Sequence, residues 1–131
     1  MCGRFTLATP AEEWARLFQL DKVPDVEPRY NIAPTQDVAV VRTPPGLTEH
    51  PGLHLAPPGT TVPREIAIVR WGLVPYWSKE IGTGPLLINA RSETVADTPS
   101  FRDAYRERRC LVVADGFYEW QPAGRGKQPY W

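Results

Sequence analysis

The sequence predicts an α+β fold made mostly of short strands, and three observations carry that expectation. Short apolar segments recur along the chain between clusters of Pro and Gly. Helical spacing is confined to two stretches, one after Pro10 and one around residues 102–109. A chain of 131 residues that is 42% hydrophobic is sized for one core, and no repeat, low-complexity tract or second domain interrupts it.

In chain order, residues 3–8 read as a strand. Thr9-Pro10-Ala11-Glu12 offers an N-cap, a proline at the first helical position and a capping-box acid, which predicts a helix to about Leu20. Trp14, Leu17 and Phe18 fall on one face of that helix and should pack against a sheet. Pro24, Pro28 and Pro34 bar a regular helix from the next segment, so Arg29-Tyr30-Asn31-Ile32-Ala33-Pro34 is expected as an ordered loop. Residues 37–42 form a strand. Residues 44–63 hold six prolines and three glycines, with His50 and His54 among them, and predict a surface loop. Two histidines four apart would need a helix to share a metal, and this composition forbids one.

Residues 65–71 alternate as a strand, and Trp71 is expected in the core. Gly72-Leu73-Val74-Pro75-Tyr76-Trp77 then turns with its rings displayed. A short apolar run at 86–90 leads into Asn89-Ala90-Arg91-Ser92-Glu93-Thr94. Residues 102–109 predict a helix with four arginines, equally readable as a solvated face or a phosphate contact. The continuous apolar run 110–114 predicts a buried strand with Cys110 in the core, followed by an Asp115-Gly116 turn into Phe117-Tyr118-Glu119-Trp120. Residues 127–131 begin another strand and end without a closing helix or cap, which predicts that this is the N-terminal part of a longer domain.

Composition narrows the function classes. Fifteen basic residues balance fifteen acidic ones, so a nucleic-acid partner would have to be met by a local basic patch. Cys2 and Cys110 make neither a disulfide framework nor a ligand-spaced metal cluster, and no cofactor is expected. A reducing, cytoplasmic location fits this cysteine usage, and no run resembles a signal peptide or a membrane span.

Met1-Cys2-Gly3-Arg4-Phe5 carries the chemistry. Removal of the methionine leaves a cysteine whose amine and thiol sit on adjacent carbons, a 1,2-aminothiol. Its nitrogen can add to an aldehyde to give a Schiff base, and its sulfur can then close a five-membered thiazolidine on the same carbon. A free α-amine with a reference pKa near ~8 is roughly a tenth neutral at pH 7, whereas a lysine near ~10.4 is well below ~0.1% neutral. Because both groups belong to one residue, ring closure is intramolecular.

Taken together, Cys2-Gly3-Arg4-Phe5, Arg29–Pro34, Trp71–Trp77 with Asn89–Thr94, and Ala114-Asp115-Gly116-Phe117-Tyr118-Glu119-Trp120 resemble the SOS response-associated peptidase (SRAP) family, which processes abasic sites in DNA. The resemblance runs in order through residues 2–131. It implies a curled, barrel-like, mainly antiparallel sheet flanked by short helices. It also implies a thiazolidine crosslink between Cys2 and the ring-opened sugar of an abasic site in single-stranded DNA, formed by a monomer without a metal. Thiol (auto)peptidase or AP-lyase activity, or noncovalent single-strand binding, are the alternatives it leaves open.

By the same resemblance Glu119 is the acid and base, and its neighbours Phe117, Tyr118 and Trp120 would give it an apolar setting. Asn89 contacts the opened sugar and the cysteine amine. Arg4 and Arg91 grip phosphates, Asn31 and Pro34 line the groove, and Trp77 stacks on a base. The family's late histidine has no counterpart in these residues, and neither His50 nor His54 matches it.

Overall fold

Two antiparallel sheets curl around one apolar core, and the sequence decides which strands occupy their middles. The computed structural model describes residues 2–46, 62–82 and 84–131, so His50, His54 and most of the loop expected at 44–63 lie outside the described residues. In chain order the elements are β1 (Arg4–Leu7), α1 (Ala11–Leu17), β2 (Arg29–Ile32), β3 (Asp37–Arg42), β4 (Glu65–Arg70), α2 (Pro99–Glu107), β5 (Leu111–Val112), β6 (Gly116–Ala123) and β7 (Gly126–Tyr130). One sheet has the order β2-β1-β6-β7 and the other β4-β3-β5. The result is the α+β class expected, a curled half-barrel with two short helices.

β3 is central because its sequence can be buried on both faces. Val38, Ala39, Val40 and Val41 are all at most 5% exposed, between β4 on one side and β5 on the other. β-branched side chains lose little further rotamer freedom in a strand. Each buried valine contributes about 1.5–3 kcal/mol of transfer free energy. β1 plays the same part in the other sheet, with Phe5, Thr6 and Leu7 buried between β2 and β6. Phe5, Leu7 and Ile32 then meet Val38–Val41, Val113 and Trp14 in a single cluster. The buried Thr6 hydroxyl is satisfied by donating to the Gly116 carbonyl at 3.4 Å and accepting from the Trp131 indole at 3.1 Å.

Several expectations change. α1 ends at Leu17, and Gln19 turns the chain with a φ of 56°. The helix buries the quartet Ala11, Trp14, Ala15 and Phe18, spaced i, i+3, i+4, i+7, so Leu17 falls off that face and is 72% exposed. The expected Thr9 cap is not made; Pro10 is the N-cap residue and no side chain caps the helix. Instead the Asp115 carboxylate accepts from the backbone N–H groups of Ala8 and Thr9. Residues 29–32 are a strand rather than a loop, because Pro28 and Pro34 flank that segment without interrupting it and it pairs with β1. α2 begins at Pro99, three residues earlier than expected, with proline in its first turn and the Thr98 hydroxyl donating back to the Thr94 carbonyl. Its charges lie on the surface, with Arg102 against Asp103 at 3.3 Å and Arg109 over the Tyr105 ring.

The run 110–114 is also corrected. β5 spans only two residues at a sheet edge, leaving Leu111 and Val112 57% and 53% exposed, and Val113 alone of the five is buried. β5 pairs only with β3, and its two residues, which point to opposite faces, are both left exposed. Cys110 is exposed, beside Arg42, Arg108 and Arg109 at the rim of a surface cavity. Partial burial pushes its thiol up, against the opposing pull of Arg42. The last strand is observed where expected, as β7.

Asp115 carries the chain from the three-stranded sheet to the four-stranded one. Desolvation raises its pKa, but the bonds from Ala8 and Thr9 together outweigh it and hold the carboxyl below its ordinary 3.8. A depressed folded-state pKa gives stability that is present above the unfolded value and disappears as pH falls through the folded one. Asp115→Asn should therefore lower stability by about 1 kcal/mol at pH 7. In thermal melts across pH 2–7, the gap between the two proteins should close below about pH 4.

Candidate functional site

The site assembles where β1 begins, and Trp71 does the assembling. This residue follows β4, packs its ring on Phe5 at 5.3 Å, and is partly buried against the core. Its backbone accepts from Thr35 and donates to Gln36, tying the β2–β3 turn to the end of β4. Its indole donates to the Ile88 carbonyl at 3.3 Å. Leu73 and Leu87 bridge beside it. The expectation of a packing role for Trp71 is met, and the indole bond adds a second one: it fixes the backbone next to Asn89.

Asn89 reaches Cys2. Its amide nitrogen donates to the Cys2 carbonyl at 2.9 Å, across 87 residues of sequence. The half-buried Cys2 thiol turns toward the Arg4 carbonyl at 3.5 Å. The contact observed for Asn89 is with the Cys2 carbonyl, where the expectation was a contact with the cysteine amine.

Arg4 and Asn31 meet directly: Nη1 of Arg4 donates to Oδ1 of Asn31 at 2.7 Å, from β1 to β2. On the other flank of β1, Arg4 pairs with Tyr118 of β6. The Tyr118 hydroxyl donates to the Tyr30 carbonyl at 3.2 Å and so spans all three strands. Sequence reading missed this clamp, although the alternation Arg4, Thr6 against Tyr118, Gly116 was the available signal. Glu119 follows Tyr118 on β6, one step beyond the Arg4 pair, and pairs with Tyr130 of β7. Phe117 and Trp120 are 56% and 43% exposed, so the rings beside Glu119 form an open surface and not an enclosure.

The other candidates lie farther along these segments. Pro34 is half-buried just before Thr35, whose φ of 71° makes the turn that Trp71 holds. Trp77 is 51% exposed, edge-on to Tyr76 at 4.9 Å, as a displayed ring should be. Arg91 is exposed, two residues past Asn89. The described contacts unite Cys2 with Asn89 and Arg4 with Asn31, and they leave Trp77 and Arg91 outside that pairing. Among the described residues no group of three or more His, Cys, Asp or Glu side chains is placed to hold a metal ion. None of their helices is long and apolar enough to cross a membrane.

A cysteine at the second position, pinned by an asparagine at the open end of a curled antiparallel sheet, defines a recognisable class. The family model for SOS response associated peptidase (SRAP) matches residues 1–131, and the chain belongs to that family. Among its relatives, the abasic site processing protein YoqW of Bacillus subtilis is 36% identical over 92% of this chain and 48% of its own length. The abasic site processing protein YedK of Escherichia coli is 35% identical over 99% of this chain and 52% of its own. The crystal structure of a phage-related protein from Bordetella bronchiseptica superposes with a TM-score of 0.63 at 25% identity, covering 98% of this chain and 53% of that one. The chain therefore spans about half the length of the relatives it matches.

Replacing Trp71 by Phe keeps a ring on Phe5 and removes the donor to Ile88. It should lower stability by about 1 kcal/mol in chemical denaturation. Hydrogen exchange at the Leu73 amide should accelerate, since the 86–90 segment is then held by fewer bonds.

Proposed function

We propose that this protein captures abasic sites in single-stranded DNA through a covalent thiazolidine formed by Cys2 once Met1 has been removed. The observation that supports this reading most is the double anchorage of Cys2, with its carbonyl on Asn89 and its thiol on the Arg4 carbonyl. An aminothiol held this way is a positioned reagent instead of a fraying terminus. The names of the relatives, abasic site processing proteins, support the substrate class.

The chemistry balances within the chain's own groups. The neutral α-amine adds to the sugar aldehyde carbon, giving a carbinolamine. Loss of its hydroxyl as water leaves an imine, with Glu119 supplying the proton to the departing oxygen and taking one from nitrogen. The thiol sulfur then bonds to the imine carbon, and the thiol proton ends on the ring nitrogen. One water is released in all, and no redox partner is needed. Glu119 is the proton-handling group proposed here because it follows Tyr118, the β6 residue that pairs with Arg4 two positions after Cys2.

DNA is held around this point by shape and charge. Asn31 occupies one donor of the Arg4 guanidinium, which orients the fork and leaves other N–H groups for a phosphate flanking the lesion. Arg91 serves a second phosphate. Pro34 and Asn31 line the strand's path, and the displayed Trp77 ring stacks on a neighbouring base, a contact worth roughly 1–3 kcal/mol that tolerates any sequence. The net charge of zero places all attraction in these local contacts.

The decisive measurement is incubation with an abasic oligonucleotide followed by denaturing electrophoresis. Wild-type protein should give a heat-stable adduct that Cys2→Ala lacks entirely. An undiminished adduct in Cys2→Ala refutes the mechanism, and peptide cleavage lost in Cys2→Ser without any DNA adduct would replace it with thiol peptidase chemistry. Glu119→Gln should slow adduct formation about a hundredfold while affinity for intact single strands stays unchanged. Arg4→Ala should weaken binding to every sequence alike and reduce the slope of log affinity against log salt by about one.

A further inference from the structure

Among the described residues, neither packing nor a positive φ requires glycine at position 3. Of the eight glycines among the described residues, Gly46, Gly72, Gly82, Gly84 and Gly124 have positive φ values, where a side chain is strained. Gly116 lies under the Trp131 ring, with an added Cβ only 2.6 Å from it, and Gly126 closes the β6–β7 turn against Ala123. Gly3 alone has neither a positive φ nor any heavy atom within 4 Å of an added Cβ. The residues on either side of it are both fixed, Cys2 by Asn89 and Arg4 by Asn31.

Where glycine is demanded by neither backbone conformation nor packing, the remaining physical reason is close approach of a ligand to the backbone. We infer that Gly3 is a steric gate: the empty volume at its Cα is the channel through which the sugar-phosphate backbone of the DNA passes to bring the lesion's aldehyde onto Cys2. This rests on the function proposed above and adds a specificity determinant to it. A small free aldehyde needs only the amine and thiol, whereas an aldehyde built into a polymer also needs room for the chain on both sides. Gly3 thus governs access of polymeric aldehydes and leaves the intrinsic reactivity of Cys2 alone.

The test uses Gly3→Val, and Gly3→Ala as the milder change, each prepared with Cys2 as its first residue and checked by mass spectrometry. Three quantities are read: melting temperature, the rate of thiazolidine formation with glyoxylate, and the rate of adduct formation with an abasic oligonucleotide. Melting temperatures should stay within about 2 °C of wild type, because an added Cβ meets no heavy atom within 4 Å. Glyoxylate should react at the wild-type rate. The oligonucleotide adduct should fall about ten- to a hundredfold in Gly3→Val and less in Gly3→Ala. An oligonucleotide rate equal to wild type in Gly3→Val overturns the gate, as does a parallel loss of both reactions, which would place the effect on Cys2 itself. Wild-type protein that reacts with glyoxylate but never with the oligonucleotide sinks the proposed function, and the gate with it.

Discussion

The tilted packing of Trp71 against Phe5 is the joint on which the rest of the site hangs. Phe5 belongs to the strand that carries Cys2 and Arg4, and Trp71 belongs to the segment that leads to Asn89. Their contact therefore sets the spacing between the strand that follows Cys2 and the amide that bonds the Cys2 carbonyl. A partly buried aromatic pair is worth about 0.5–1.5 kcal/mol beyond the area it removes from water, and its shape tolerates little sliding. The indole hydrogen bond to Ile88 converts that packing into a fixed backbone position.

The polar contacts of the site are each weaker than this joint. Arg4–Asn31, Asn89–Cys2 and Tyr118–Tyr30 all lie at exposed positions, where water competes for every donor and acceptor. Their geometry persists because the strands beneath them are locked in register by the buried cluster of Phe5, Leu7, Ile32 and the β3 valines. The division of labour follows from dielectric: apolar burial fixes distances, and solvent-facing polar groups stay available for an incoming anion.

Much of this is legible in the sequence, and the exceptions have physical causes. The six-residue run 37–42, the alternation at 65–70 and the breaker-rich turn before Trp77 announce themselves through local pattern. The 29–32 strand does not, because two flanking prolines look like a loop unless the partner strand is known. The run 110–114 misleads in the opposite direction, since apolar continuity cannot distinguish a central strand from an edge. Leu17 misleads because three apolar residues fit a helical face as well as the true quartet does. For the site, Cys2 and Asn89 can be named one by one, but their hydrogen bond spans 87 residues and has no local signature. The Trp71 indole bond and the Asp115 tie to Ala8 and Thr9 are hidden for the same reason.

The pairing of β1 with β6 joins Thr6 to a partner 110 residues later in the chain. On the ribosome, where synthesis proceeds at about 5–20 residues per second, β1 waits on the order of ten seconds for its second neighbour to be made. During that interval the segment bearing Cys2 is flanked by β2 at most. The topology thus leaves the surroundings of Cys2 one-sided until the strand on its second flank has emerged.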